Sequence, residues 1–187
     1  MYDHAEKLNM FNISHTRIVT PILTYIFFLS VTTSAYAQDF SLSSDSISEI
    51  STIDKTYTCD GKNISPALAW NHAPAQTVSF ALILSDPDAP GGTFYHWVLF
   101  NIPKTTSSLA ENISQLPSGT QTGINSFGKT QYNGPCPPKG KEHQYIFRLY
   151  ALDATLDIPD HSDANAVMSA MQNHVLDVTE IKSTFGH

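Results

Sequence analysis

Residues 78–103 read VSFALILSDPDAPGGTFYHWVLFNIP. The first eight are almost continuously apolar, with Pro74 before them and Pro87 and Pro90 after them. A short apolar run between such breakers reads as a strand buried on both faces. FYHWVLFNI, 94–102, is a second strand, rich in aromatic and branched side chains. The segment DPDAPGGT between them is turn material.

Outward from this pair, HQYIFRLYAL at 143–152 reads as a third strand. LAW at 68–70 reads as a short one, and TYTCDGKNISP, 56–66, as a short strand entering a turn at Asp60-Gly61. Residues 38–55 alternate loosely and suit an edge strand. Residues 103–142 are rich in Gly, Pro, Ser and Asn, which predicts long loops with a short strand near 129–132. Ser162 or Asp163 can cap a helix, and Val167, Met171, Val175 and Val178 share one helical face. Strands first and a helix late predict a mainly β fold, a β-sandwich with a short C-terminal helical segment.

The chain has 187 residues, of which 41% are hydrophobic and 14% charged, so it can bury a core. Its formal net charge is -7, with no basic stripe. That argues against nucleic acid as a partner and against general attraction to anionic membranes.

IVTPILTYIFFLSV, 18–31, is short for a membrane-spanning helix, which needs about 20 residues. Arg17 precedes it and Ala35-Tyr36-Ala37 follows it. This order is that of a secretory signal peptide. Residues 1–37 are therefore read as the signal, cut after Ala37, and 38–187 as the domain, periplasmic or secreted and not membrane-spanning after cleavage. Asp3 and Glu6 suit a signal poorly, so Met1 and Met10 both stand as starts. In an oxidising compartment Cys59 and Cys136 invite a disulfide, with two buried thiols as the alternative.

Five polar groups stand where strands meet loops. Asp86 and Asp88 follow the first strand and point together if that stretch stays extended. His96 enters the second strand. His143 and Tyr145, two apart, begin the third and share a face. GPCPPKG, 134–140, is a stiff loop in which Gly134 lets a ligand approach and backbone N–H groups can meet an anion. Carboxylates beside the histidines would raise their pKa, and imidazolium, backbone donors and a tyrosine hydroxyl would hold one phosphate-like anion. The aspartates would orient the histidines or receive a ligand ammonium. Two Asp and two His are also chemically able to bind a metal and activate water, but no HExxH or cysteine-rich zinc spacing is present. No GxSxG element supports a serine nucleophile. The reading is a non-enzymatic binding protein without cofactor or metal. An inhibitor or interaction protein acting on a protease or other protein is the alternative, and a metal-dependent hydrolase ranks below it.

SDPDAPGGTFYHWVLFNIP, 85–103, with GPCPPKGKEHQYIFRLYALD, 134–153, resembles the two signature blocks of the phosphatidylethanolamine-binding protein family. CDGKNISPALAW, 59–70, is similar to the block preceding them in the bacterial, Raf-kinase-inhibitor-like branch. The resemblance implies a β-sandwich whose pocket takes phosphate, acetate-like anions or a phosphoethanolamine head group. By position it implies Asp86, Asp88, His96, Gly134, Pro135, His143 and Tyr145 as ligand-binding residues. It also implies a cis peptide in the DPDAP loop, for which Ala89–Pro90 is the candidate. Animal members carry a longer insertion where this chain has only seven residues between Asp88 and His96, which would leave the pocket mouth more open.

Overall fold

The computed structural model describes residues 38–187, so the signal-peptide expectation lies outside the described residues. Eight strands and one α-helix form the domain. In chain order they are β1 (Ser41–Ser43), β2 (Leu68–Asn71), β3 (Ser79–Asp86), β4 (Phe94–Pro103), β5 (Ser108–Leu109), β6 (Gln121–Thr122), β7 (Glu142–Leu152), α1 (Ala164–Met171) and β8 (Val175–Gly186). A three-stranded sheet has the order β1-β2-β5, and a five-stranded sheet the order β6-β4-β3-β7-β8. All their pairings are antiparallel.

β3 is apolar throughout because both its faces are covered. Phe80, Leu82 and Leu84 pack with Leu68, Trp70 and Leu109 of the small sheet and with Phe147 and Leu149 of β7. Ala81 and Ile83 face the other way, onto Leu156 and onto Ala164, Val167 and Met171 of α1. Each large side chain buried this way contributes about 1.5–3 kcal/mol. The free edge of β8 is covered in its second half by the 50–53 segment, through bonds such as Ile50 N–H to Lys182 O and Thr184 N–H to Ser51 O. Covering an edge protects the sheet against pairing with other chains.

β4 carries two irregularities that decide where its side chains go. Asn101 has φ +54°, a conformation asparagine tolerates better than most residues. The register against β3 shifts there, and Ile102 returns to the sandwich core beside Leu99. Near the other end, Leu84 pairs with Trp97 but Ser85 with Tyr95, so His96 is an extra residue on β4. Such a bulge re-aims a side chain, and His96 and Trp97 consequently share the sandwich side.

Three expectations are corrected. The helix is shorter than the spacing implies: it starts at the Asp163 cap, whose Oδ1 accepts from Ala166 N–H at 2.8 Å, and ends at Met171. Val175 and Val178 lie instead in β8, exposed, because eleven pairings with β7 outweigh the helical spacing. The 56–66 segment begins with a 3-10 turn at Lys55–Tyr57 and continues in turns rather than as a strand. No strand forms at 129–132; the short strands of the 103–142 region are β5 and β6.

Candidate functional site

The β3–β4 loop, the 133–138 segment and the start of β7 meet at one end of the large sheet around a cavity of about 220 Å³. Asp86, His96 and His143 line it, with Ala89, Pro90, Phe94, Phe127, Cys136, Pro137 and Pro138. The volume is below the roughly 300–1,000 Å³ of sites for drug-sized molecules. It suits a small ligand.

Asp86 ends β3 and is buried (4% exposed), as is His143 (4%). His143 Nδ1 donates to Asp86 Oδ2 at 2.8 Å, which leaves the ring's Nε2 for a ligand. Asp86 Oδ1 accepts from the Asp88 N–H at 2.9 Å. Both carboxylate oxygens are therefore committed, one to a backbone turn and one to an imidazole.

His96, 2% exposed, is held from behind. Its Nδ1–H points at the carbonyls of Asn133 (2.9 Å) and Gly134 (3.1 Å). Carbonyls only accept, so Nδ1 carries the proton and Nε2 is the free nitrogen. Burial lowers the His96 pKa, against the opposing pull of the Asn133 carbonyl and the Asp86 charge. The expected rise is thus overturned for His96: desolvation of the cation outweighs the nearby carboxylate. The imidazole packs edge-on against Tyr145 at 5.3 Å, Phe94 at 5.2 Å and Phe127 at 5.5 Å.

The remaining predicted residues support the cavity and do not line it. Asp88 is exposed; Pro87 and Asp88 sit in a turn, so the stretch is not extended and the two carboxylates do not point together. Asp88 Oδ2 instead accepts from Gln144 N–H at 2.8 Å and ties the loop to β7. Gly134 N–H is taken by Asn63 Oδ1 at 2.7 Å, so it is not offered to an anion. A Cβ on Gly134 would lie 2.1 Å from the Tyr57 carbonyl oxygen, which is why no side chain fits there. Pro135 O accepts from Cys59 N–H at 3.1 Å. Tyr145 is fully buried, and its hydroxyl has no hydrogen-bond partner among the described residues. Burial, then the Asp86 carboxylate, raises its pKa. Among the described residues no peptide bond is cis. Gly92 N–H to Ala89 O closes a turn with Pro90 in its second place, where a trans proline belongs.

Phe94 and Phe127 were not singled out by sequence. Phe94 read as strand core. Phe127 sits in a Gly- and Asn-rich stretch, set by buried Asn125, whose Oδ1 accepts from the Phe127 and Lys129 N–H groups. A disulfide joins Cys59 to Cys136, with Cα atoms 5.4 Å apart, and fastens the 133–138 wall to the 57–63 segment.

Comparison with known proteins agrees with this architecture. The sequence matches the family described as Phosphatidylethanolamine-binding protein over residues 43–186. A UPF0098 protein of Methanothermobacter thermautotrophicus is 49% identical over 127 residues, 66% of this chain and 83% of the relative. The UPF0098 protein YbcL of Escherichia coli is 36% identical over 170 residues, 84% of this chain and 90% of YbcL. The crystal structure of E. coli YbcL, described as a new member of the mammalian PEBP family, superposes with a TM-score of 0.77 at 31% identity, covering 80% of this chain and 99% of YbcL. A homologue from Chlamydia trachomatis gives 0.73 at 33% identity, covering 79% and 97%. With the family matched across most of its length and the same fold in solved relatives, the chain belongs to the phosphatidylethanolamine-binding protein family.

Proposed function

We propose that this member of a family of small-ligand binders is a non-enzymatic protein whose Asp86–His96–His143 cavity takes a phosphate-type anion, foremost a phosphoethanolamine-like phospholipid head group. The observation that carries the reading is the pair of buried imidazoles, each anchored through Nδ1, that leave two Nε2 atoms on one small cavity. Asp86, whose oxygens each keep a second lone pair, gives the cavity a negative side for a ligand ammonium. Phe94, Phe127 and the prolines give it an apolar rim for the rest of a lipid.

The pH dependence follows from His96. An anion favours its charged ring, whereas burial favours the neutral one, so anion binding strengthens as pH falls below about 6.5, the ordinary histidine value. Stability of the free protein runs the opposite way in pH. With the folded pKa depressed, the unfolded chain binds more protons in that window. Stability present above about 6.5 is therefore lost as pH falls. Glycerophosphoethanolamine is the suitable probe, because its phosphodiester charge does not change between about pH 5.5 and 7.5. Calorimetric titration is expected to show affinity roughly tenfold higher at the lower pH, the worth of one charge-assisted hydrogen bond of about 1.5 kcal/mol. His96→Gln is expected to flatten that dependence. No saturable binding at either pH would overturn the reading.

The place of action we propose is outside the cytoplasm, periplasmic or secreted. The basic–apolar–small order of residues 17–37 supports this. So does a disulfide, a bond that persists in oxidising compartments. Among the described residues no helix is long and apolar enough to cross a membrane. Intact mass of protein recovered from the cell envelope or medium is expected to correspond to a chain starting at Gln38. A mass including residues 1–37 would contradict it.

A further inference from the structure

Beside the cavity, the disulfide has a second neighbour. His187 follows β8 by one residue, and its ring rests edge-on against Phe185 at 5.6 Å. Its Nε2 donates to the Pro137 carbonyl at 2.8 Å. Its Nδ1 faces Asp60, 3.0 Å from Oδ1 and 3.1 Å from Oδ2. One ligand atom of His187 and the sulfurs of Cys59 and Cys136 all lie within 4.8 Å of one another. Both cysteines are exposed. Two sulfurs, an imidazole and a carboxylate thus come together from three separate segments of chain, which explains why no local metal-binding spacing exists in the sequence.

We infer that the reduced protein holds a divalent transition-metal ion of the zinc class through Cys59, Cys136 and His187, with Asp60 as the adjacent oxygen ligand. While the disulfide is intact neither sulfur can act as a thiolate, so the site opens only on reduction. The electrons come from a thiol donor: two RSH give RSSR, the Cys59–Cys136 bond breaks, and each cysteine takes one proton. Ligation then displaces both of those protons as the thiolates bind the metal, and with them the Nδ1 proton that faces Asp60. Thiolates with imidazole select zinc-like ions over hard cations such as magnesium or calcium. The Pro137 carbonyl keeps the ring proton on Nε2, leaving Nδ1 as the ligating atom, the outer-shell arrangement typical of metal-bound histidine. Cys136 also lines the cavity, so the ion would sit at its rim. The inference does not depend on what the cavity binds.

The test uses full-length protein reduced with a phosphine, then freed of reductant and metal under inert gas and titrated with Co2+. One equivalent is expected to bind with sulfur-to-cobalt charge-transfer absorption and the visible bands of a tetrahedral site, and Zn2+ is expected to displace it. Unreduced protein should show none of this. His187→Ala should still yield two free thiols on reduction but bind Co2+ more weakly by at least the roughly 10–100-fold that losing even an outer-shell partner costs. Reduced protein with two free thiols and no charge-transfer band would overturn the inference, as would equal affinity in His187→Ala. A melting temperature of the reduced protein that Zn2+ leaves unmoved would also overturn it, including where reduction alone loosens the fold.

Discussion

Asp86→Ala is expected to destabilise the protein by about 3–5 kcal/mol and to remove detectable head-group binding. The carboxylate is buried and has two partners, His143 Nδ1 and the Asp88 N–H. Alanine leaves both donors without an acceptor, one of them on a buried imidazole. The cost arises from the orphaned partner more than from the loss of the pair itself. Asp86→Asn keeps an acceptor for the turn but puts an amide NH2 where Oδ2 accepts from His143, which the ring can meet only in its other tautomer, so it should cost less than alanine but more than the loss of charge alone. The double variant Asp86→Ala/His143→Ala should cost less than the sum of the singles, because the orphaned imidazole is gone. Urea unfolding of wild type, Asp86→Ala, Asp86→Asn, His143→Ala and the double variant measures this. An Asp86→Ala protein within about 1 kcal/mol of wild type would mean that the pair does not organise this end of the sheet.

Removing the disulfide should have a comparable effect. Cys59 and Cys136 are 77 residues apart in sequence, so the bond closes a long loop in the unfolded chain. Cys59→Ser/Cys136→Ser is expected to lose about 2–4 kcal/mol, a fall in melting temperature of roughly 5–15 °C. The loss should reach the cavity, since the wall that the bond fastens contains the Asn133 and Gly134 carbonyls that hold His96. Affinity for glycerophosphoethanolamine should therefore fall along with stability. Wild-type protein under reductant, without metal, should match the double serine variant. Melting temperatures unchanged by both treatments would contradict the argument.

The strands that carry the site were legible because their burial is written into their composition. β3 is apolar at successive positions since it is covered on both faces, and β4 and β7 are aromatic and branched for the same packing. The meeting of Asp86, His96 and His143 was legible as three polar residues at strand ends. What placed His96 was not: the bulge at 95–97 depends on pairing with β3, which no local spacing reveals. Asp88 was misplaced because Pro87 and Asp88 turn the chain, and Asp86 accepts the Asp88 N–H within that turn. Val175 and Val178 matched a helical face but pair with β7, a tertiary contact that overrides local preference. Phe127 carries no sequence signal, as its position rests on the buried Asn125 side chain.

Everything proposed for the pocket requires that His96 and His143 meet the same ligand. Nitrogen-15 NMR of the two imidazoles, with glycerophosphoethanolamine added to saturation at about pH 6, observes this directly. The Nε2 resonances of both rings should move together along one saturable curve, and Asp86→Asn should shift that curve to weaker binding. Movement of one ring alone, or of neither, would contradict a shared site.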